Sequence, residues 1–155
     1  MVLRLVKGNH CVGEANYHLQ FTPKYRKPIF EDDTVMFACE QVFKGIAAEL
    51  NVQLAGIGFG PDHVHLFVSG CKNYSAAELA CRLKGASSRV LRENYRARLM
   101  VKGLYGDSMW SDSYFYRTVG AVSNEAMQRY INESQHKHWT AEKQKTTQTT
   151  ILQFN

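Results

Sequence analysis

The amino-acid sequence predicts an α+β fold, a four-stranded antiparallel sheet on the ferredoxin-like split βαβ plan (RRM-like) with an additional C-terminal helix. Two observations predict it. Strand and helix periodicities alternate along the chain in the order β-α-β-β-α-β, and one more helical segment follows. Right-handed crossovers then place two helices on one face of the sheet and leave the other face open.

The first part of this plan is a strand at residues 14–22, where apolar side chains alternate until Pro23 ends the pattern. A helix of roughly 35–50 follows, because apolar residues recur there at helical spacing. Thr34 is its predicted N-cap.

The second part is a hairpin, a helix and a last strand. Residues 52–60 and 63–69 are predicted as two antiparallel strands around the tight turn "GPD", although glycines weaken the first strand. The segment "SAAE" at 75–78 matches the S-x-x-E capping box and begins a helix that runs to about residue 95. Residues 113–120 are predicted as the fourth strand.

Size and composition indicate one basic, cytoplasmic domain. The 155 residues are predicted to form a single domain at 1–138 and a polar tail at 139–155, which is either mobile or docked on a partner subunit. Nineteen Lys and Arg against 14 Asp and Glu give a net charge of +5, which fits a polyanionic partner without requiring one. No apolar run approaches the roughly 20 residues of a membrane span. The four cysteines contain no C-x-x-C pair, which favours reduced thiols.

His63 and His65 lie two residues apart in the third strand. Residues i and i+2 of a strand share a face, so the two imidazoles project side by side. Such a pair can hold one divalent ion if further ligands come from elsewhere. The alternative is two surface histidines on an exposed sheet face. Asp62 is adjacent, and is predicted either to point to the other face or to lie in the turn.

Tyr130 lies on the last predicted helix, which Ser123 caps. A helix packed against the open face would bring this tyrosine close to the histidine pair. A phenol is a poor nucleophile unless a cation on the phosphate oxygens and in-line placement assist it. The alternative is core packing beside Met127 and Ile131.

Basic residues cluster in two segments. The connection "PKYRK" places Lys24, Arg26 and Lys27 around Tyr25, a combination that suits single-stranded DNA but also an ordinary solvated turn. The second helix carries a face of mainly positive charge, which favours a DNA footprint.

The sequence resembles the TnpA-type single-tyrosine HUH transposases of small bacterial and archaeal insertion sequences, the IS200-like family. The resemblance rests on "PDHVHL", which contains the HUH motif, and on four further motifs in the family's order over residues 14–138: "TPKYRKPIF", "LKGASSRVLR", "MWSDSYFYRTVG" and "YINESQ".

This resemblance implies cleavage and rejoining of single-stranded DNA at hairpin-marked insertion-sequence ends. Tyr130 would be the catalytic nucleophile and would form a 5′-phosphotyrosine link. A divalent ion, Mg²⁺ or Mn²⁺, would be held by His63, His65 and Gln135, and no nucleotide cofactor would be needed. Such enzymes typically act as homodimers, with histidines and tyrosine helix from different chains. Residues of the "KGASSR" region would contact the DNA: Lys84, Ser87 and Arg89.

The third metal ligand is where the sequence departs from the family pattern. The family places it four residues after the tyrosine, whereas Gln135 is five residues on and would point about 140° away in a regular helix. A π-bulge near Asn132 would restore it, and Glu133 is the competing ligand. The alternative function is a non-catalytic, ferredoxin-like nucleic-acid-binding protein, a domesticated transposase. A metal-dependent hydrolase is a third interpretation.

Overall fold

A computed structural model describes residues 5–120, 123 and 125–133 of the chain. The elements, in chain order, are β1 (Val6–Lys7), β2 (Val12–Gly13), β3 (Tyr17–Phe21), α1 (Asp33–Glu49), β4 (Gln53–Gly60), β5 (His63–Ser69), α2 (Ala76–Val101), β6 (Phe115–Thr118) and a last helix, α3, at residues 125–133.

The main sheet has the strand order β4-β5-β3-β6, and each neighbouring pair is antiparallel. This is the order that two right-handed βαβ crossovers produce, so the predicted ferredoxin-like plan is confirmed. A two-residue ladder between β1 and β2 lies outside this plan and was not predicted.

Helix α1 begins earlier than the sequence pattern indicates. Its N-cap is Asp32, whose carboxylate accepts hydrogen bonds from the backbone N–H groups of Thr34 and Val35 at 3.0 and 3.3 Å. The prediction of Thr34 as the cap is therefore wrong. The physical reason is that aspartate and threonine are both good N-caps, and only the backbone conformation decides between neighbours.

Helix α2 begins as predicted and ends later. Ser75 and Glu78 form the reciprocal capping box. The helix continues past residue 95 to Val101, through a non-helical backbone conformation at Tyr95. The apolar stripe is interrupted there, which is why the pattern predicted an end, but Leu99 is again fully buried after the interruption.

The main core lies between the sheet and the helices α1 and α2. Alternate residues of β5 face it, and so do Leu19 and Phe21 of β3, which are fully buried. Trp110 is also in this core. A second, smaller apolar cluster of Phe67, Met127 and Ile131 lies on the opposite face of the sheet and anchors α3 there.

Among the residues that the structure describes, no helix combines the length and apolar character that crossing a membrane requires.

Candidate active site on the open face of the sheet

Strand register gathers three histidines on the face that α1 and α2 leave open. His63 and His65 alternate with core residues along β5. His18 of β3 is paired with Phe67, two positions beyond His65, and therefore shares their face. All three imidazoles are 2% exposed, so α3 and the neighbouring strands shield them from bulk water.

The ring of His65 contacts both of the other imidazoles. The ring centroids of His63 and His65 are 5.1 Å apart, and the rings are nearly perpendicular. His18 Nε2 lies 3.0 Å from His65 Nδ1, which is a hydrogen bond between two rings. The pair predicted from sequence is thus part of a buried cluster of three.

Asp62 lies in the β4–β5 turn, which is one of its two predicted placements. Its carboxylate accepts two hydrogen bonds from neighbouring side chains. Nδ1–H of His63 donates to Oδ1 at 2.8 Å, and Nε of Arg26 donates to Oδ2 at 2.8 Å. Although burial alone would raise it, the hydrogen bonds from His63 and Arg26 lower the pKa of Asp62 to about 2. An ionised carboxylate therefore orients the His63 ring.

His18 is held between rings. It stacks on Phe67 with centroids 4.6 Å apart and an interplanar angle of 7°. Burial, assisted by the positive charge of Arg117, lowers the pKa of His18 to about 4. The ring is therefore neutral near pH 7. His18 also contacts a predicted metal ligand, His65, directly.

Helix α3 presents Tyr130 to this cluster. Met127 and Ile131 are buried against the sheet, whereas Tyr130 remains 40% exposed, so core packing does not account for its position. Its ring centroid lies 5.2 Å from that of His18 and 6.4 Å from that of His65, in edge-on contacts. In this arrangement Tyr130 and the histidines belong to the same chain.

The residues present fit a divalent ion in part. Nδ1 of His63 and Nδ1 of His65 each have a hydrogen-bond partner within the protein, so Nε2 is the atom through which either ring would coordinate. Within the described part of the chain, no three His, Cys, Asp or Glu side chains form a metal-binding group. A complete site therefore needs a ligand of another kind or from another segment.

The predicted third ligand lies outside the described residues. Gln135 is not among them, and the described portion of the helix, 125–133, is α-helical. Glu133, the competing ligand, is exposed at the end of this portion. The π-bulge and the choice between the two ligands stay predictions.

The predicted DNA-binding connection lies directly beside the site. Tyr25 is 79% exposed, and Tyr25 and Arg26 both have left-handed backbone conformations, with φ of 58° and 52°. Such conformations are unfavourable for residues other than glycine. The Arg26 side chain is ion-paired with Asp62 at 2.8 Å. Lys24, the third predicted residue, is half-buried in the same turn.

The three residues predicted on α2 have different environments. Arg89 is exposed and available to a partner. Lys84 donates hydrogen bonds to the backbone carbonyls of the loop at 111–113, the shortest at 2.7 Å, and is therefore a loop anchor. Ser87 is fully buried, donates to the Leu83 carbonyl and accepts from the Trp110 indole N–H. The prediction that Ser87 contacts DNA is therefore wrong, because its hydroxyl is buried and hydrogen-bonded inside the protein.

Two features of the site escaped sequence reasoning. The glycines of β4 pair with site-facing residues of β5, Gly60 with His63 and Gly58 with His65. Their alternation is visible in the sequence, but by itself it predicts only a weaker strand. Arg117 of β6 is paired with His18 and therefore lies on the open face. All residues of β6 are exposed, so the sequence pattern of this strand does not indicate which face Arg117 is on.

Comparison with known proteins gives three findings. The sequence pattern of the family described as "Transposase IS200 like" matches residues 11–134. The ISDra2 transposase TnpA of Deinococcus radiodurans is 31% identical over 134 residues, which cover 86% of this chain and 93% of that protein. The transposase for insertion sequence element IS200 of Salmonella typhimurium is 27% identical over 79% of this chain and 78% of its own.

Solved structures agree with the fold. A crystal structure described as a transposase from Deinococcus radiodurans R1 has a TM-score of 0.66 at 27% identity, over 84% of this chain and 98% of that one. A REP-associated tyrosine transposase bound to a REP hairpin has a TM-score of 0.54 at 11% identity, over 87% and 71%, and is a likeness of fold alone. From the family match and the identity to the ISDra2 transposase, the chain belongs to the IS200-like transposase family.

Proposed function

We propose that this transposase cleaves and rejoins single-stranded DNA at the ends of an insertion sequence, with the Tyr130 hydroxyl as nucleophile. The observation that carries the proposal is the position of Tyr130, a half-exposed phenol whose ring lies edge-on to His18 and His65 on the open face. A buried imidazole cluster beside an accessible phenol is an arrangement that nucleophilic chemistry uses.

The chemistry is a transesterification. The phenolic oxygen of Tyr130 attacks the phosphorus in line, the bond from phosphorus to the 3′ oxygen breaks, and the phenolic proton is lost while the leaving 3′ oxygen gains one. The products are a 5′-phosphotyrosine and a free 3′-OH. Rejoining is the reverse attack by a 3′-OH, so the bond energy is conserved and no nucleotide cofactor takes part.

His63, His65 and Gln135 would hold a Mg²⁺ or Mn²⁺ ion. Such an ion, when bound, neutralises charge on the phosphate oxygens and polarises the phosphorus. The chain's own residues do the rest. Asp62 orients the His63 ring, and Met127 and Ile131 hold the tyrosine helix on the sheet.

DNA binding is assigned to the surface around Tyr25. Its exposed ring can stack on a base, while Lys24 and Arg26 of the same turn supply positive charge for phosphates. Exposed Arg89 on α2 is proposed as a separate phosphate contact. Hairpin-ended single-stranded DNA is the proposed partner, in line with the hairpin that the REP-associated transposase of the same fold binds. Affinity is expected to fall as salt rises, because phosphate contacts release counterions.

The decisive experiment is a covalent-adduct assay. The protein is incubated with Mn²⁺ and labelled single-stranded DNA that carries its element's ends, and the products are separated on a denaturing gel. We expect an adduct with the wild type and none with Tyr130→Phe, which still binds the DNA. Tyr116→Phe, another exposed tyrosine, is the matched control and retains the adduct. DNA binding without any adduct would identify a non-catalytic binding protein instead.

The protein is also proposed to be a homodimer, as the family resemblance implies. The resemblance implies that the histidines and the tyrosine helix come from different chains, but Tyr130 lies beside its own His65 in the described chain, which favours a site within one chain. We therefore expect no adduct when Tyr130→Phe is mixed with a His63→Ala, His65→Ala double variant. An adduct in the mixture would mean that the tyrosine helix is exchanged between subunits. Sedimentation measures the dimer independently.

A further inference from the structure

We infer that His18 is a positioning residue of the site: it accepts a hydrogen bond from Nδ1–H of His65 and so leaves Nε2 of His65 as the atom that would bind a metal ion. The inference rests on the proposed function, because it concerns the same site. It assigns a role to a residue that lies outside the histidine motif.

The hydrogen bond between the two rings determines where protons must be. His18 Nε2 and His65 Nδ1 are 3.0 Å apart, so one of the two nitrogens carries the shared proton. A histidine coordinates a metal through the nitrogen that carries none. Because Nδ1 of His65 is engaged with His18, coordination must use Nε2. Nδ1 of His65 then holds the proton, and His18 must accept with Nε2.

The surroundings of His18 keep its ring in place for this role. It is 2% exposed and stacks on Phe67 with centroids 4.6 Å apart. Its edge-on contact with Tyr130, at 5.2 Å between centroids, links the same ring to the proposed nucleophile. His18 thus contacts a proposed metal ligand and the attacking residue at once.

A parallel within the site supports the assignment. Nδ1 of His63 is bonded to Asp62 at 2.8 Å, as Nδ1 of His65 is bonded to His18. Each proposed ligand therefore has its own partner on the nitrogen that faces away from the metal, and such partners fix both the tautomer and the orientation of a ligating imidazole. The partner of His65 is unusual only in being another imidazole.

The test is a titration of the full chain with Mn²⁺ in the absence of DNA. Electron paramagnetic resonance measures the concentration of free Mn²⁺ at each step and so gives the affinity. His18→Phe keeps an aromatic ring against Phe67 but removes the acceptor, and we expect its Mn²⁺ affinity to fall by about 10-fold or more. His18→Gln places an amide oxygen where Nε2 was, and we expect affinity within about threefold of the wild type.

A second pair of variants separates the acceptor from the packing if His18→Phe does not fold. The amide of His18→Asn is too short to reach His65, so it should bind Mn²⁺ as weakly as expected for the phenylalanine variant, while His18→Gln retains the affinity. Wild-type affinity in His18→Phe, or equal losses in His18→Gln and His18→Asn, would overturn the inference.

This readout is independent of cleavage. If the wild type binds Mn²⁺ but forms no Tyr130-dependent adduct, the proposed function fails while the role of His18 is still measured. Imidazole ¹⁵N shifts in the metal-free protein give a spectroscopic check, with His65 protonated on Nδ1 and His18 on its own Nδ1. The opposite tautomers would refute the assignment.

Discussion

Gly60 and Gly56 make the site sterically possible. Both belong to β4, and both pair with residues of β5 that face the site. A Cβ on Gly60 would collide with the ring of His63, and one on Gly56 would lie 2.9 Å from the sulfur of Met127. Backbone this close to a neighbouring side chain favours glycine, above all at Gly60, which faces the rigid ring of His63; at Gly56 the flexible Met127 side chain would have to shift.

Gly60→Ala should therefore displace His63. We expect a loss of about 1–3 kcal/mol in the free energy of unfolding, the usual cost of overpacking, together with weaker Mn²⁺ binding. Gly45→Ala in α1 is the control, because an added Cβ there meets nothing within 4 Å. Urea denaturation and a Mn²⁺ titration measure both effects. A Gly60→Ala protein that equals the wild type in both would refute this account of the strand.

Asp32 joins two helices as well as capping one. Its carboxylate caps α1 and also accepts from Arg98 of α2 at 2.9 Å. A second ion pair, from Lys102 to Glu31, lies one turn further on. These contacts explain how the last turns of α2 remain helical beyond the interruption at Tyr95, since they attach its C-terminal end to the start of α1.

Asp32→Ala is expected to cost about 1 kcal/mol of unfolding free energy, the typical value of an N-cap. For a domain of this size this lowers the melting temperature by about 2–4 °C. Asp32→Asn, which can still cap but carries no charge, should lose less. Thermal unfolding followed by circular dichroism distinguishes the variants, and equal melting temperatures in all three would contradict the assignment of the cap.

The contacts of Asp32 also predict that its contribution to the free energy of unfolding depends on pH. Although burial opposes it, the hydrogen bonds from Arg98, Val35 and Thr34 lower the pKa of Asp32 in the folded state. A carboxyl group whose pKa is depressed by folding stabilises the protein above its unfolded pKa of about 3.9, and this stabilisation is lost as pH falls through the folded pKa. The stability difference between wild type and Asp32→Ala should therefore shrink below pH 4. A difference that stays constant would exclude the charge as its source.

At the scale of the whole molecule, the described residues form one large core and one small apolar cluster, separated by the sheet. The large core joins α1 and α2 to the sheet, whereas α3 is attached through Phe67, Met127 and Ile131 on the other face. Because few apolar contacts hold the described part of α3, we expect it to open before the rest of the fold. The proposed nucleophile is thus carried by the least firmly attached helix in the described part of the chain.

Met127→Lys should detach α3 selectively. We expect adduct formation to fall by at least about tenfold, because correct placement of reacting groups supplies much of the rate. The global melting temperature should change little. Hydrogen exchange should become faster at residues 125–133 while protection of α1 and α2 is retained. Met100→Lys, at a partly exposed methionine of α2, is the matched control. Cooperative loss of all protection in Met127→Lys would mean that α3 belongs to the main core.

The order of elements could be predicted from the sequence because local periodicity determines it. The hairpin turn, the Ser75–Glu78 capping box and the shared face of His63 and His65 all depend on residues close together in the chain. Element ends were less predictable. The N-cap of α1 and the length of α2 depend on Asp32 and Arg98, which lie 66 positions apart.

The environment of the site was decided by tertiary structure. His18 and His65 are 47 positions apart, Arg26 and Asp62 are 36 apart, and neither hydrogen bond has a local sequence signal. The burial of Ser87 beneath Trp110 and the meaning of the β4 glycines likewise depend on which surface packs against them. The sequence by itself determined that His63 and His65 share a strand face and that they and Tyr130 are the candidates for chemistry. Only the packing of β3, β5 and α3 decided which nitrogen each imidazole presents and that Tyr130 reaches them, because contacts between distant segments exist only once the sheet has formed.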